Sequence, residues 1–150
     1  MKRMMSVFVL LLLLATVAPA WAGPAEEVGA LIQQRSKIFS EGNIDAWMAA
    51  YADNAILTSL TNPFRIEGKD AIRAFYTAPF QNNPTRSTAA RQLSIRVYGN
   101  DTTVVTNQYT QSNFVDQKGQ ATNLYFRNTA TWVKMGGQWR IVDAHNSKLP

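Results

Sequence analysis

The chain has 150 residues, an apolar fraction of 46%, a formal net charge of +5 and no cysteine. Its length favours a single domain, and the lack of cysteine excludes disulfides and thiolate-bound zinc. Lysines and arginines are scattered singly, which excludes the basic stripe of a nucleic-acid-binding surface.

Residues 1–22 read as a secretory signal. Lys2 and Arg3 form a positive start, Val7 to Leu14 is an unbroken apolar run, and Ala20-Trp21-Ala22 offers small residues at a cleavage site. The competing reading is a retained anchor, but a spanning helix needs roughly 20 apolar residues, and Pro19 interrupts the run. No cysteine follows to carry a lipid. Cleavage after Ala22 gives a periplasmic or secreted chain without a membrane span. Loss of Lys2 and Arg3 lowers its charge from +5 to +3. Residues 23–150 are enough to bury a core.

The mature part begins with helix. Pro24 suits a first turn, and Glu26 and Glu27 suit its positive end. Val28, Leu31, Ile32, Arg35, Ile38 and Phe39 then recur at i, i+3, i+4 spacing. Gly42 stops this helix as a left-handed cap. Asn43 caps a second helix with Trp47, Ala50 and Tyr51 on its inward face. Asp53-Asn54 turns the chain into a short strand, Ala55 to Ser59. Pro63 and Gly68 bracket a loop. Lys69 or Asp70 opens a third helix, with Ile72, Phe75 and Tyr76 on one side and Pro79 as its end.

After a polar loop over 81–88 the period changes to two. Leu93 to Val97 alternates, and Gly99-Asn100-Asp101 signals a hairpin. Long strands follow over Thr103–Val115, Asn123–Lys134 and Gln138–Asn146, with turns at Asp116–Gln120 and Gly136-Gly137. Helices followed by an antiparallel meander predict an α+β fold with the helices on one face of the sheet. Leu124, Phe126, Ala130 and Trp132 share one strand face, and Tyr125, Arg127, Thr129 and Thr131 share the other. Asn107, Tyr109, Gln111 and Asn113 likewise share a face. Water-facing sheets show such alternation; a polar-lined pocket or a dimer face are the other readings.

Three stretches carry a family resemblance. Trp47 to Leu57 (WMAAYADNAIL) is similar to the second helix and first strand of SnoaL-like and ketosteroid-isomerase-like proteins. Ile66 to Tyr76 resembles their third helix. Thr129 to Trp132, Gly137-Gln138-Trp139 and His145-Asn146-Ser147 resemble the association (hub) domain of calcium/calmodulin-dependent kinase II and its bacterial relatives. The chain thus resembles the nuclear transport factor 2-like superfamily over nearly all of residues 23–150. This implies a cone: a curved antiparallel, cystatin-like sheet with three N-terminal helices packed on it. The superfamily includes isomerases, cyclases, dehydratases and binding modules, so the fold fixes no activity.

An isomerase needs a carboxylate base on the strand after Ala55, where this chain has Thr58-Ser59-Leu60. It also needs an oxyanion tyrosine at the position held here by Arg35. Serine offers no proton acceptor near neutrality without an activating base. A SnoaL-type cyclase or dehydratase would rest on His145, the single histidine. Asp143 and Ser147 share its strand face, but neighbours at i and i+2 lie about 6.5–7 Å apart, too far for a catalytic triad. One histidine and turn-bound carboxylates assemble no metal site. The hub resemblance implies pocket arginines at positions held here by Ala130 and Asn146. Arg127 is the cation that remains nearby for a carboxylate; a surface ion pair is its other reading.

The sequence reading is therefore a cofactor-free homodimer, paired through its sheet, that holds a small polar or acidic organic ligand without catalysis. The lining expected for it is Trp47, Tyr51, Tyr76, Tyr109, Arg127 and His145. An enzyme using His145 on a small cyclic or keto compound and a pure oligomerisation module are the alternatives.

Overall fold

A computed structural model describes residues 23–149. Residues 1–22, expected to be a secretory signal, lie outside the described residues. Among those described, no helix is long and apolar enough to cross a membrane.

Helix α1 (Pro24–Glu41) starts at Pro24 and stops at Gly42, whose φ of 75° is left-handed and whose N–H returns to the Ile38 and Phe39 carbonyls. A side chain at 42 would also meet the Arg86 guanidinium, which would have to move aside. Helix α2 (Ile44–Ala49) is capped by the Asn43 side chain, which accepts from the Ala46 N–H at 3.0 Å.

The chain then departs from the sequence expectation. Strand β1 (Tyr51–Thr58) begins at Tyr51, so Tyr51 is not helical and Asp53-Asn54 is not a turn. The cause is tertiary: β1 pairs in parallel with the last strand, Tyr51 opposite Ile141, and Ile141 N–H donates to the Ala50 carbonyl at 2.7 Å. Asp53 and Asn54 are both exposed within a register slip between Tyr51 and Ile56, an irregularity in which β1 advances five residues while β6 advances two.

Strand β2 (Ile66–Glu67) is a two-residue partner of β1 inside the expected loop. Helix α3 (Lys69–Asn82) runs through Pro79 instead of ending there. Packing outweighs the lost backbone bond, because Phe80, one residue further, is buried edge-on against Phe39 at 5.3 Å. Strand β3 (Thr85–Tyr98) begins within the loop expected over 81–88. β4 (Thr103–Val115), β5 (Ala121–Met135) and β6 (Gln138–Lys148) complete the meander.

The six strands form one sheet in the order β2-β1-β6-β5-β4-β3, antiparallel except for the parallel β1–β6 pair. Gln92 adopts φ 49° in a register slip between Arg91 and Ser94, and this bulge bends β3. Helix α1 lies against β3 and α3 against β1, so the helices sit on the inner side of the sheet. The narrow end is a close-packed core that includes Val28, Ile32, Met48, Leu57, Ile72, Val104 and Trp132. The Glu27 carboxylate fixes the start of α1 to the far ends of β5 and β6, accepting from Lys134 Nζ at 2.8 Å and Trp139 Nε1 at 2.5 Å.

Candidate functional site

Above this core the interior opens into a cavity of about 230 Å³. The helical period brings Ile32, Arg35, Ser36 and Phe39 from α1 to its wall, and α3 adds Phe75, Tyr76 and Pro79. Trp47 comes from α2, Tyr51 from β1, and Ser59, Leu60 and Thr61 from the loop after β1. The sheet contributes alternate residues: Thr106, Gln108, Thr110, Ser112 and Phe114 from β4; Leu124, Phe126, Asn128, Ala130 and Trp132 from β5; Ala144 and Asn146 from β6.

The two walls differ chemically. On the helical side, Trp47 meets Phe39 at 5.3 Å and Tyr76 at 5.7 Å between ring centroids, and Tyr51 lies 6.4 Å from Tyr76. On the sheet side, short polar side chains bond one another: Gln108 Nε2 donates to Thr110 Oγ1 at 3.1 Å, and Asn128 Nδ2 to Asn146 Oδ1 at 2.8 Å. Two buried lining atoms, Trp47 Nε1 and Gln108 Oε1, have no hydrogen-bond partner among the described residues.

Among the described residues, Arg35 is the only charged one in the lining. It is 9% exposed, donates from Nη1 to the Trp47 carbonyl at 2.8 Å, and lays its guanidinium 3.7 Å from the Trp47 ring centroid and 5.2 Å from that of Tyr51. No aspartate or glutamate pairs with it among the described residues. Burial pulls the Arg35 guanidinium below its ordinary value, and the neighbouring Tyr51 and Tyr76 offset part of this. Burial, with Tyr51 alongside, holds the Tyr76 phenol well above the ordinary tyrosine range, which keeps its hydroxyl a hydrogen-bond donor at neutral pH.

Of the six residues expected to line the cone, Trp47, Tyr51 and Tyr76 meet in the cavity. Tyr109, Arg127 and His145 do not. They are exposed on the opposite face of the sheet, where Tyr109 stands across from Arg127 and Thr129 across from His145. Each is one residue out of phase: the inward side chains are Gln108, Asn128 and Asn146. The expected set missed Arg35, although its signal is in the sequence: a charged residue on the apolar stripe of α1, between Ile32 and Phe39.

A curved sheet wrapped on helices around a lined interior defines the nuclear transport factor 2-like, or cystatin-like, class. Solved structures bear this out. The fold is similar to a candidate calcium/calmodulin-dependent kinase II association domain from Xanthomonas campestris (TM-score 0.76, 20% identity, 89% of this chain and 93% of that one covered). It is also similar to a candidate scytalone dehydratase from Novosphingobium aromaticivorans (TM-score 0.75, 15% identity, 82% of each chain). A third match is a protein with a cystatin-like fold from Caulobacter vibrioides (TM-score 0.71, 16% identity, 85% of this chain and 92% of that one). At these identities the likeness concerns the fold. Within the class, residues 28–150 match the SnoaL-like domain family, and the chain belongs to it. No curated protein matches the sequence.

Proposed function

We propose that this SnoaL-like chain is an exported domain that holds a small organic ligand, apolar in body and polar or acidic at one end, in its cone without transforming it. The observation that carries this reading is the composition of the cavity wall. Aromatic rings face a ladder of hydroxyl and amide groups, which gives a ligand both a hydrophobic surface and a few placed polar partners. No aspartate, glutamate or histidine is in that wall among the described residues, so no general acid–base pair is evident in it. His145 faces away from the cavity, which leaves the His145-based enzyme reading without its residue. Dimerisation through the outer sheet face is part of the proposal. Tyr109 and Tyr125, exposed there at 40% and 50%, supply the aromatic area that interfaces favour.

Native mass spectrometry on protein drawn from outside the cytoplasm of the producing cell tests this reading. The expected species starts at Gly23, has the mass of a dimer, and carries a discrete small adduct. An apo oligomer that takes up no adduct from the cell extract overturns ligand binding in favour of an assembly module.

A further inference from the structure

We infer that the ligand of the cone is a small single-ring carboxylate, and that Arg35, with the Trp47 indole N–H beside it, receives its negative charge. The inference rests on the ligand-binding reading above and adds the charge, the size and the receiving residue.

The charge follows from Arg35. Arginine is rarely buried unless it is paired, because moving a cation out of water is costly unless an anion or several acceptors compensate. This guanidinium is 9% exposed, yet its protein neighbours are one backbone carbonyl, two aromatic faces and phenolic hydroxyls. A guanidinium carries five N–H donors in a planar fork. The Trp47 carbonyl takes one of the two groups at its tip, and the fork matches a carboxylate bidentately.

The second observation is independent of the first. Trp47 Nε1 is a buried donor without a partner on the same wall. An indole N–H donates and never accepts, so what it calls for is an acceptor such as a carboxylate oxygen. Two donors on one residue pair, one charged and one neutral, discriminate against a ligand cation and against a purely apolar molecule.

Size and shape follow from the space and its rings. A dry cavity of about 150 Å³ holds benzene, so about 230 Å³ suits one ring with one or two substituents. Phe39, Tyr51, Phe75 and Tyr76 offer faces and edges against which such a ring packs. On the sheet wall, Gln108 Oε1 is a buried acceptor without a partner, suited to a hydroxyl substituent.

The test uses the mature chain, residues 23–150, titrated with benzoate and with its neutral isostere benzamide, followed through the Trp47 indole N–H resonance by NMR. Benzoate is expected to bind at least about tenfold more tightly than benzamide, the range of a charge-assisted hydrogen bond, and to shift the Trp47 indole signal. Arg35→Gln is expected to weaken benzoate by about tenfold or more while leaving benzamide within about twofold. Arg35→Lys, which keeps the charge but not the fork, is expected to retain part of the preference. It also serves, with the wild-type ratio, should the glutamine variant fail to fold. Equal binding of the two probes to the wild type overturns the charge assignment and leaves the cavity reading standing. A preference for benzoate that Arg35→Gln does not reduce overturns the role of Arg35. Binding of neither probe overturns the inference together with the reading beneath it.

Discussion

The two faces of strand β4 are nearly indistinguishable in composition and opposite in surroundings. Inward lie Thr106, Gln108, Thr110 and Ser112, and outward lie Asn107, Tyr109, Gln111 and Asn113. Both sets mix hydroxyls and amides. The outer face even holds the more conspicuous site-like residues, with Tyr109 opposite Arg127 and His145 beside Thr129. What separates the faces is the company they keep. The inner face sits under α1 and α3, whose aromatic residues exclude water, and its polar groups bond one another inside a cavity, Gln108 to Thr110 along β4 and Asn128 to Asn146 across strands. The same residue types outside are solvated and have no comparable electrostatic leverage.

Stability should break the faces apart most sharply. Trp132 is 2% exposed and donates its indole N–H to Thr106 Oγ1 at 3.3 Å. Trp132→Ala is expected to cost about 3–5 kcal/mol by urea unfolding, the usual range for a large buried aromatic. Tyr125→Ala, on the outer face of the same strand at 50% exposure, is expected to leave the fold within about 0.5 kcal/mol of wild type at concentrations where the chain is monomeric, its cost appearing instead as a weaker dimer. Similar costs for the two under those conditions would mean that the outer face is buried within the monomer itself.

The cavity cation gives the next contrast. Breaking a buried ion pair costs about 3–5 kcal/mol, because the partner is left charged and alone. Arg35 has no carboxylate partner among the described residues. Arg35→Met, which keeps apolar volume, is therefore expected to remain within about 1 kcal/mol of wild type, the lost bond to the Trp47 carbonyl offset by removal of a buried charge. The same variant is expected to lose its preference for an anionic ligand. Arg127→Met, on the outer face, is expected to change neither stability nor cavity binding. A loss of several kcal/mol in Arg35→Met would identify a structural arginine instead.

How far this could be read in advance follows from the same contrast. Helix starts, the Gly42 stop and the long hairpins were legible because each depends on local chemistry: caps, left-handed glycines and β-branched alternation. Tyr51 went to the wrong element because its strand partner is Ile141, at the other end of the chain. Pro79 read as a stop because Phe80's burial against Phe39 is a contact no local rule anticipates. In the site, helical residues Trp47 and Tyr76 were legible because an amphipathic helix announces its inner side. On β4 the sheet residues were not, since a strand polar on both faces gives no sign of which one looks inward; on β5 the apolar Leu124, Phe126, Ala130 and Trp132 do mark the inner face, which leaves Arg127 on the outer one. Arg35 stood in plain view, at the position where the resemblance puts an isomerase tyrosine. Its spacing alone does not mark it as a buried cation, since a lone arginine on a helix usually extends its charge to water.

The smallest expected effect concerns the clamp at the narrow end, away from the cavity. Lys134 and then Trp139, both hydrogen-bonded to Glu27, hold its carboxyl below the ordinary value of 4.5, outweighing the opposing effect of burial. A carboxyl with a depressed folded-state pKa adds stability that is present above its unfolded value and is lost as pH falls through the folded one. Thermal melts should therefore show Glu27→Gln below wild type at pH 7. The gap should begin to close as pH drops past about 4.5 and vanish under stronger acid. The pair with Lys134 is about one-third exposed on each side, so the gap should also shrink in high salt. Because the clamp fixes the start of α1 while Arg35 lies about two helical turns further along, Glu27→Gln should leave cavity binding at pH 7 unchanged. If ligand affinity fell with the clamp, the two ends of α1 would be coupled, and the division between a rigid narrow end and a functional wide end would have to be given up.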